Sequence, residues 1–166
     1  MMLQAKLDEI GWSLKGTKAP HPEREVEALE RYLDIRLPET YRKMLIRYAQ
    51  EIFFDIGAVF PLDAPTSWSH NNQFQDLDFF YGFGKDGIRE NIAAYVGEQI
   101  PDWLIPIGGT MAGNQICLAI DGDDKGAIYF WDHEHADGTG LYLVAPSFDD
   151  FLNMLKPDPE GNVMYD

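Results

Sequence analysis

Gln115-Ile116-Cys117-Leu118-Ala119-Ile120, Asp121-Gly122-Asp123-Asp124-Lys125-Gly126, Ala127-Ile128-Tyr129-Phe130-Trp131 is the passage that decides the fold. Two runs rich in β-branched, aromatic and other apolar residues flank six residues of Asp, Gly and Lys. Such runs favour extended backbone, and the glycines and aspartates between them favour a turn. The passage therefore predicts two antiparallel strands joined as a hairpin.

Leu104–Ile107 precedes the hairpin as a strand and Leu141–Val144 follows it as another. Ser147 is placed to cap a closing helix that carries Phe148, Phe151, Leu152 and Leu155, and Pro157 ends it. Upstream, Asp86 is placed to cap a helix whose apolar positions are Ile88, Ile92, Ala93, Tyr95 and Val96, and Leu77–Phe83 reads as an aromatic strand. Ile52–Ile56 and Ala58–Phe60 read as two short strands around Gly57. Residues 61–76, with Pro61, Pro65, Asn71 and Asn72, read as irregular.

The N-terminal part is helical. One helix candidate opens the chain, and Lys15-Gly16-Thr17-Lys18-Ala19-Pro20 is a polar loop after it. Pro22, Glu23 and Glu25 suit a helix start, and Val26, Leu29, Tyr32 and Leu33 make a stripe over residues 22–34. Leu37-Pro38 opens the next helix, striped by Tyr41, Met44, Leu45 and Tyr48, with Arg42, Lys43 and Arg47 directed to solvent. Helices, then strands, then a helix predict one α+β domain. Its sheet is antiparallel or mixed, with N-terminal helices and a C-terminal helix packed on it. The domain spans 1–156, and 157–166 is a tail.

Composition narrows the function classes. The chain has 166 residues, 45% of them hydrophobic, so a packed core is expected rather than disorder. No apolar run approaches membrane-spanning length, and the acidic N-terminus lacks the basic, apolar pattern of a leader. With Cys117 the only cysteine, a cytoplasmic setting is expected and no intrachain disulfide can form. The net charge is −15. Residues 1–96 hold eleven Lys/Arg against fifteen Asp/Glu, a net of −4, whereas residues 97–166 hold two against thirteen, a net of −11. That field repels nucleic acid and anionic membranes and attracts a basic protein.

Catalytic patterns are weak. His133 and His135 would share one face if the strand continued that far, and Asp137 could complete a metal site for a hydrolase. The alternative is a polar strand end. Asp121–Asp132 imitates a calcium loop but places Lys125 where an oxygen ligand belongs. Gly108-Gly109-Thr110-Met111-Ala112-Gly113-Asn114 follows a strand, yet another strand succeeds it and no phosphate motif is completed. It reads as a flexible connection with glycines at positive φ. Cys117 falls inside a strand and reads as core. Ser67 and Ser69 lack a nucleophile elbow, although His70 is near. Trp68, Phe74, Phe79, Phe80 and Tyr81 could line a binding surface or cover the core.

The order of segments resembles the SUKH superfamily of bacterial toxin-immunity proteins and a fungal cell-wall-synthesis regulator. The resemblance rests on Leu37-Pro38-x-x-Tyr41-Arg42-x-x-Leu45 and on the aromatic segment Leu77–Gly84. It continues through Ile105-Pro106-Ile107-Gly108, Gly113-Asn114-Gln115-Ile116-Cys117-Leu118, Gly126–Trp131 with Asp132-His133, and Ser147-Phe148-x-x-Phe151-Leu152. Many members have Asn-Gly-Gly after the Leu-Pro helix; here Tyr48-Ala49-Gln50-Glu51 stands there. The resemblance implies helices against a sheet and a non-enzymatic, cofactor-free role, typically neutralising a toxin by binding it.

The leading expectation is thus an immunity-type protein for a polymorphic or contact-dependent toxin, such as a basic nuclease. Its binding surface is expected at Asp121, Asp123, Asp124, Asp132, Glu134 and Asp137. The alternatives are a regulatory or scaffold module for an endogenous protein, and the metal-dependent hydrolase of His133, His135 and Asp137.

Overall fold

The computed structural model describes residues 2–62, 74–135 and 140–160. Its elements are α1 (Met2–Ile10), β1 (Trp12–Lys15), α2 (Pro22–Leu33), α3 (Glu39–Tyr48), β2 (Glu51–Pro61), β3 (Phe74–Phe80), α4 (Ile88–Tyr95), β4 (Leu104–Gly109), β5 (Gln115–Ala119), β6 (Ile128–Trp131), a 3-10 turn at His133–His135, β7 (Leu141–Ala145), α5 (Phe148–Met154) and β8 (Lys156–Pro157). The fold is α+β, and every strand pair is antiparallel. The sheet runs β1-β2-β3-β4-β5-β6-β7, with β8 added to β2.

The expected hairpin is β5 and β6, in the register Gln115↔Trp131 through Leu118↔Ile128. Both strands are buried along their whole length. Ile116, Leu118, Ile128 and Phe130 face the main core; Cys117, Ala119, Tyr129 and Trp131 face a second, smaller one with Ile100 and Leu104. Burial on both faces explains why these strands are continuously apolar rather than alternating.

The helical stripes pack as expected except at Tyr32 of α2, which is 76% exposed. Val26 and Leu29 of α2, and Tyr41, Met44, Leu45 and Tyr48 of α3, enter the main core. α5 wedges aromatics against the sheet: Phe148 meets Tyr41 at 5.2 Å and Phe80 at 5.8 Å between ring centroids, and Phe151 meets Phe60 at 5.3 Å. Such edge-on contacts add to the area they bury. Ser147 caps α5, its Oγ accepting the Asp150 N–H at 3.1 Å.

Several local expectations are corrected. Ile52–Ile56 and Ala58–Phe60 form one strand, bent by a register shift between Phe53 and Ala58 at Gly57, which has φ +84°. β3 begins at Phe74 and ends at Phe80, upstream of the expected strand. Trp12–Lys15, read partly as loop, pairs with β2. Asp86 is not the cap of α4; Gly87 occupies that position, and Asp86 sits at φ +60° with its carbonyl accepting from Asn91 Nδ2. Arg42 turns from solvent to Glu30, 3.3 Å away, and the same carboxylate accepts the Leu37 N–H at 2.8 Å. Gly108 and Gly109 belong to β4, and only Gly113 of that run has positive φ. Their small size serves close packing: a Cβ would stand 2.5 Å from Phe79 O at Gly108 and 2.5 Å from Asn114 O at Gly109. At the C-terminal end, Lys156 pairs with Val59 and Pro157 with Ala58, and the Asp158 N–H reaches Gly57 O at 3.1 Å.

Candidate functional site

The β5–β6 turn projects from one end of the sheet. The Gly126 N–H donates to Ala119 O at 2.8 Å and the Ala127 N–H to Asp124 O at 2.9 Å, closing the turn. Gly122 at φ +85° and Gly126 at φ +95° supply backbone that other residues rarely adopt. The Tyr129 hydroxyl donates to Asp124 Oδ2 at 2.9 Å and fixes the outgoing side of the loop. Asp121, Asp123 and Asp124 are all exposed.

Register brings more carboxylates to this end. Leu104 pairs with Ala119 and the Ile120 N–H donates to Trp103 O at 2.8 Å, so Asp102 lies beside the turn; Ile128 pairs with Ala145, so the segment that carries Asp149 and Asp150 leaves β7 from this same end. All three are exposed. In the segments that converge here (residues 97–103, 120–127 and 146–150), Lys125 is the one basic residue. The aromatic pair Trp103 and Tyr129, 5.1 Å apart edge to face, lies beneath this rim. Asp102, Asp149 and Asp150 carry no local motif. Their only signal is the strand register, which is why sequence reasoning missed them.

The remaining expected residues lie elsewhere. Trp131 pairs with Gln115 at the opposite end of the hairpin, and Glu134 follows it there, exposed. Four residues of strand separate the two ends, about 13 Å at the usual rise per residue. Asp132 is fully buried and offers no surface charge. Its Oδ1 accepts the Glu134 N–H at 3.0 Å and its carbonyl accepts the His135 N–H at 3.1 Å, so it caps the 3-10 turn. Asp137 lies outside the described residues, as do Trp68, Ser67, Ser69 and His70.

The same 3-10 turn removes the premise of the metal reading. His133 and His135 are not on a continuing strand, so period-two alternation does not place them on one face. Asn114 Oδ1 receives the His133 N–H at 3.3 Å and lies 2.7 Å from His133 Nδ1. Since a carbonyl oxygen only accepts, Nδ1 carries the hydrogen. His135 Nε2 lies 3.9 Å from Asp132 Oδ2, a pair that could hold two positions of a metal's shell. Among the described residues no group of three or more His, Cys, Asp or Glu is placed to hold a metal.

Asn114 is a further residue that sequence reasoning did not single out as functional. It ties the β4–β5 turn to the exit of β6, which gives the Gly-Asn and Trp-Asp-His segments a structural role. Cys117 is buried, and burial pushes its thiol well above the usual range, so it is a poor nucleophile. Phe80 and Tyr81 are core residues. Tyr81 donates to Gln115 Oε1 at 2.7 Å, and burial pushes its phenol up. Phe74 and Phe79 are half-buried. No described helix is long and apolar enough to cross a membrane.

Comparison with known proteins agrees with this frame. A Bacillus subtilis (strain 168) protein named "SPbeta prophage-derived uncharacterized protein YokK" is 29% identical over 171 residues, covering 95% of this chain and 86% of that protein. Residues 20–154, from the loop before α2 to the end of α5, match the SMI1 / KNR4 family (SUKH-1), and the chain belongs to that family.

Proposed function

We propose that this chain is a non-catalytic immunity-type protein, which binds and neutralises a basic protein toxin in the cytoplasm. The SUKH family includes immunity proteins, and these generally act by binding protein toxins rather than by catalysis. A relative whose name assigns it to a prophage is consistent with a gene carried on mobile DNA.

The observation that carries the physical side of the reading is the acidic end of the sheet. Asp102, Asp121, Asp123 and Asp124 lie there, Asp149 and Asp150 follow the strand that ends there, and Lys125 is the one basic residue of these three segments. A surface of one sign raises the encounter rate with an oppositely charged partner and could occupy the anion site of a toxin such as a nuclease. Of the residues expected from the sequence, Asp121, Asp123 and Asp124 remain in this face. Glu134 belongs to the other end, and Asp132 serves the interior.

The test is the association rate of the toxin with a variant carrying Asp121→Lys, Asp123→Lys and Asp124→Lys, over a range of salt. The rate at low salt should fall by about tenfold or more and lose most of its salt dependence. A rate indifferent to both salt and these reversals would contradict steering by this face.

A further inference from the structure

β7 ends the sheet, and among the described residues no strand pairs with its outer edge. Its sequence, Leu141-Tyr142-Leu143-Val144-Ala145, contains no charge, proline or glycine. Soluble proteins usually protect such an edge with lysine, proline or a covering element, because its free N–H and C=O groups invite another strand. The opposite edge follows that practice: β1 is four residues long and ends on Lys15, whose ammonium lies 4.9 Å from the Phe53 ring centre.

The direction of the free groups follows from the pairing. The Asp132 N–H donates to Gly140 O at 2.8 Å, which turns Gly140 toward β6. Alternation then turns Tyr142 toward β6 as well, and it pairs with Phe130. Leu141 and Leu143 therefore present their N–H and C=O groups outward. Leu143 is 57% exposed. A groove of about 370 Å³ runs along this strand, lined by Pro61, Leu62, Met154 and residues 141–144. Polar and apolar surface share this groove, so an added strand would meet side chains such as Leu62, Leu143 and Met154 beside polar groups.

We infer that the outer edge of β7 docks an extended segment of the partner protein in which apolar and basic residues alternate. This rests on the reading of the chain as a protein-binding module. Charge selects the occupant. Glu134 precedes the strand, Asp149 and Asp150 follow it, and the region from residue 97 onward has two basic residues against thirteen acidic ones. A second copy would bring another −15 to the same place. Strand addition takes its affinity from main-chain hydrogen bonds and its selectivity from alternate side chains, so lysines flanking the apolar positions would meet the carboxylates.

The probe is a short synthetic peptide of alternating valine and lysine, titrated into the folded protein while amide hydrogen exchange is followed residue by residue. Exchange at Leu141 and Leu143 should slow by about tenfold or more at saturation. Tyr142, already bonded to β6, serves as the internal control and should change little. A valine–glutamate peptide should leave all three unchanged. Leu143→Lys, at an exposed side chain, should keep the fold and weaken the protection. Unchanged exchange at Leu141 and Leu143, or equal protection by the acidic peptide, would overturn the proposal. Co-purification with a candidate toxin, the product of a gene neighbouring this chain's own, is scored separately. Capture of that protein with β7 exchange unaltered contradicts the edge proposal and leaves the binding reading standing.

Discussion

Replacing Asn114 with alanine tests whether the Trp131-Asp132-His133 segment is a structural lock. Asn114 is 2% exposed, and its Oδ1 takes two hydrogen bonds from His133, one from the backbone and one from the ring. Asn114→Ala removes both and leaves the His133 N–H and Nδ1–H without that acceptor. Each such bond is worth about 1 kcal/mol net. His133 is only half-buried, so water recovers part of the loss. The expected cost is about 1–2 kcal/mol, a fall in Tm of a few degrees for a chain of this size. Asn114→Asp keeps the acceptor and should stay close to the parent protein. Urea unfolding followed by tryptophan fluorescence reads the cost, and His133→Ala completes a double-mutant cycle. Both variants delete the ring bond, whereas His133→Ala keeps the backbone N–H bond, so the double variant should cost less than the two singles together by about the worth of that shared bond. Additive losses, or an Asn114→Ala variant as stable as the parent, would refute the lock.

Three further outcomes follow from local geometry. Gly109→Ala places a Cβ 2.5 Å from Asn114 O and should destabilise by about 2–3 kcal/mol, read as a lower urea midpoint. Asp34→Gly should stabilise by about 0.5–1 kcal/mol in the same assay. Asp34 is exposed, takes φ 54° at the end of α2, and sets a negative charge at the negative end of the helix dipole. Glu51 is held above its ordinary pKa by partial burial, which outweighs the opposing pull of Lys15, and Asp86 adds to the rise. The folded state therefore holds that proton to higher pH than the unfolded chain does, and stability falls as pH rises through the carboxylate range. Glu51→Gln should raise the neutral-pH Tm slightly, with the difference vanishing on acidification; a gain that persists below the carboxylate range would contradict the assignment.

Much of the fold is legible because periodicity and turn chemistry are local. The hairpin of Gln115–Trp131, the stripe of α3 and the Ser147 cap are each encoded within a few residues. What escaped was set by contacts distant in sequence. Arg42 looks like a solvent residue on its own helix and is drawn inward by Glu30 of the preceding one. The Tyr48-Ala49-Gln50-Glu51 stretch departs from the family's glycine turn, yet Ala49 adopts φ 55° and ends α3 in the left-handed geometry that glycine or asparagine usually supplies. Gly108 and Gly109 look like a flexible loop until Phe79 and Asn114 are placed against them.

The candidate surface divides along the same line. Asp121, Asp123 and Asp124 were legible as a turn between two strands. Asp132 was not legible as interior, since nothing in Trp-Asp-His announces a 3-10 turn whose Glu134 N–H takes up its Oδ1. Asp102, Asp149 and Asp150 are separated from the turn in sequence and join it only through the pairing of β4 with β5 and of β6 with β7.

The proposed role is neutralisation of a toxin by binding it. The most direct measurement is growth of a host expressing the adjacent gene's product, with and without this chain, alongside affinity purification of the pair. Growth arrest relieved by this chain, with the two proteins recovered as a stoichiometric complex, is the predicted result. Relief that occurs without a complex, or a stable complex that leaves the arrest intact, would contradict it.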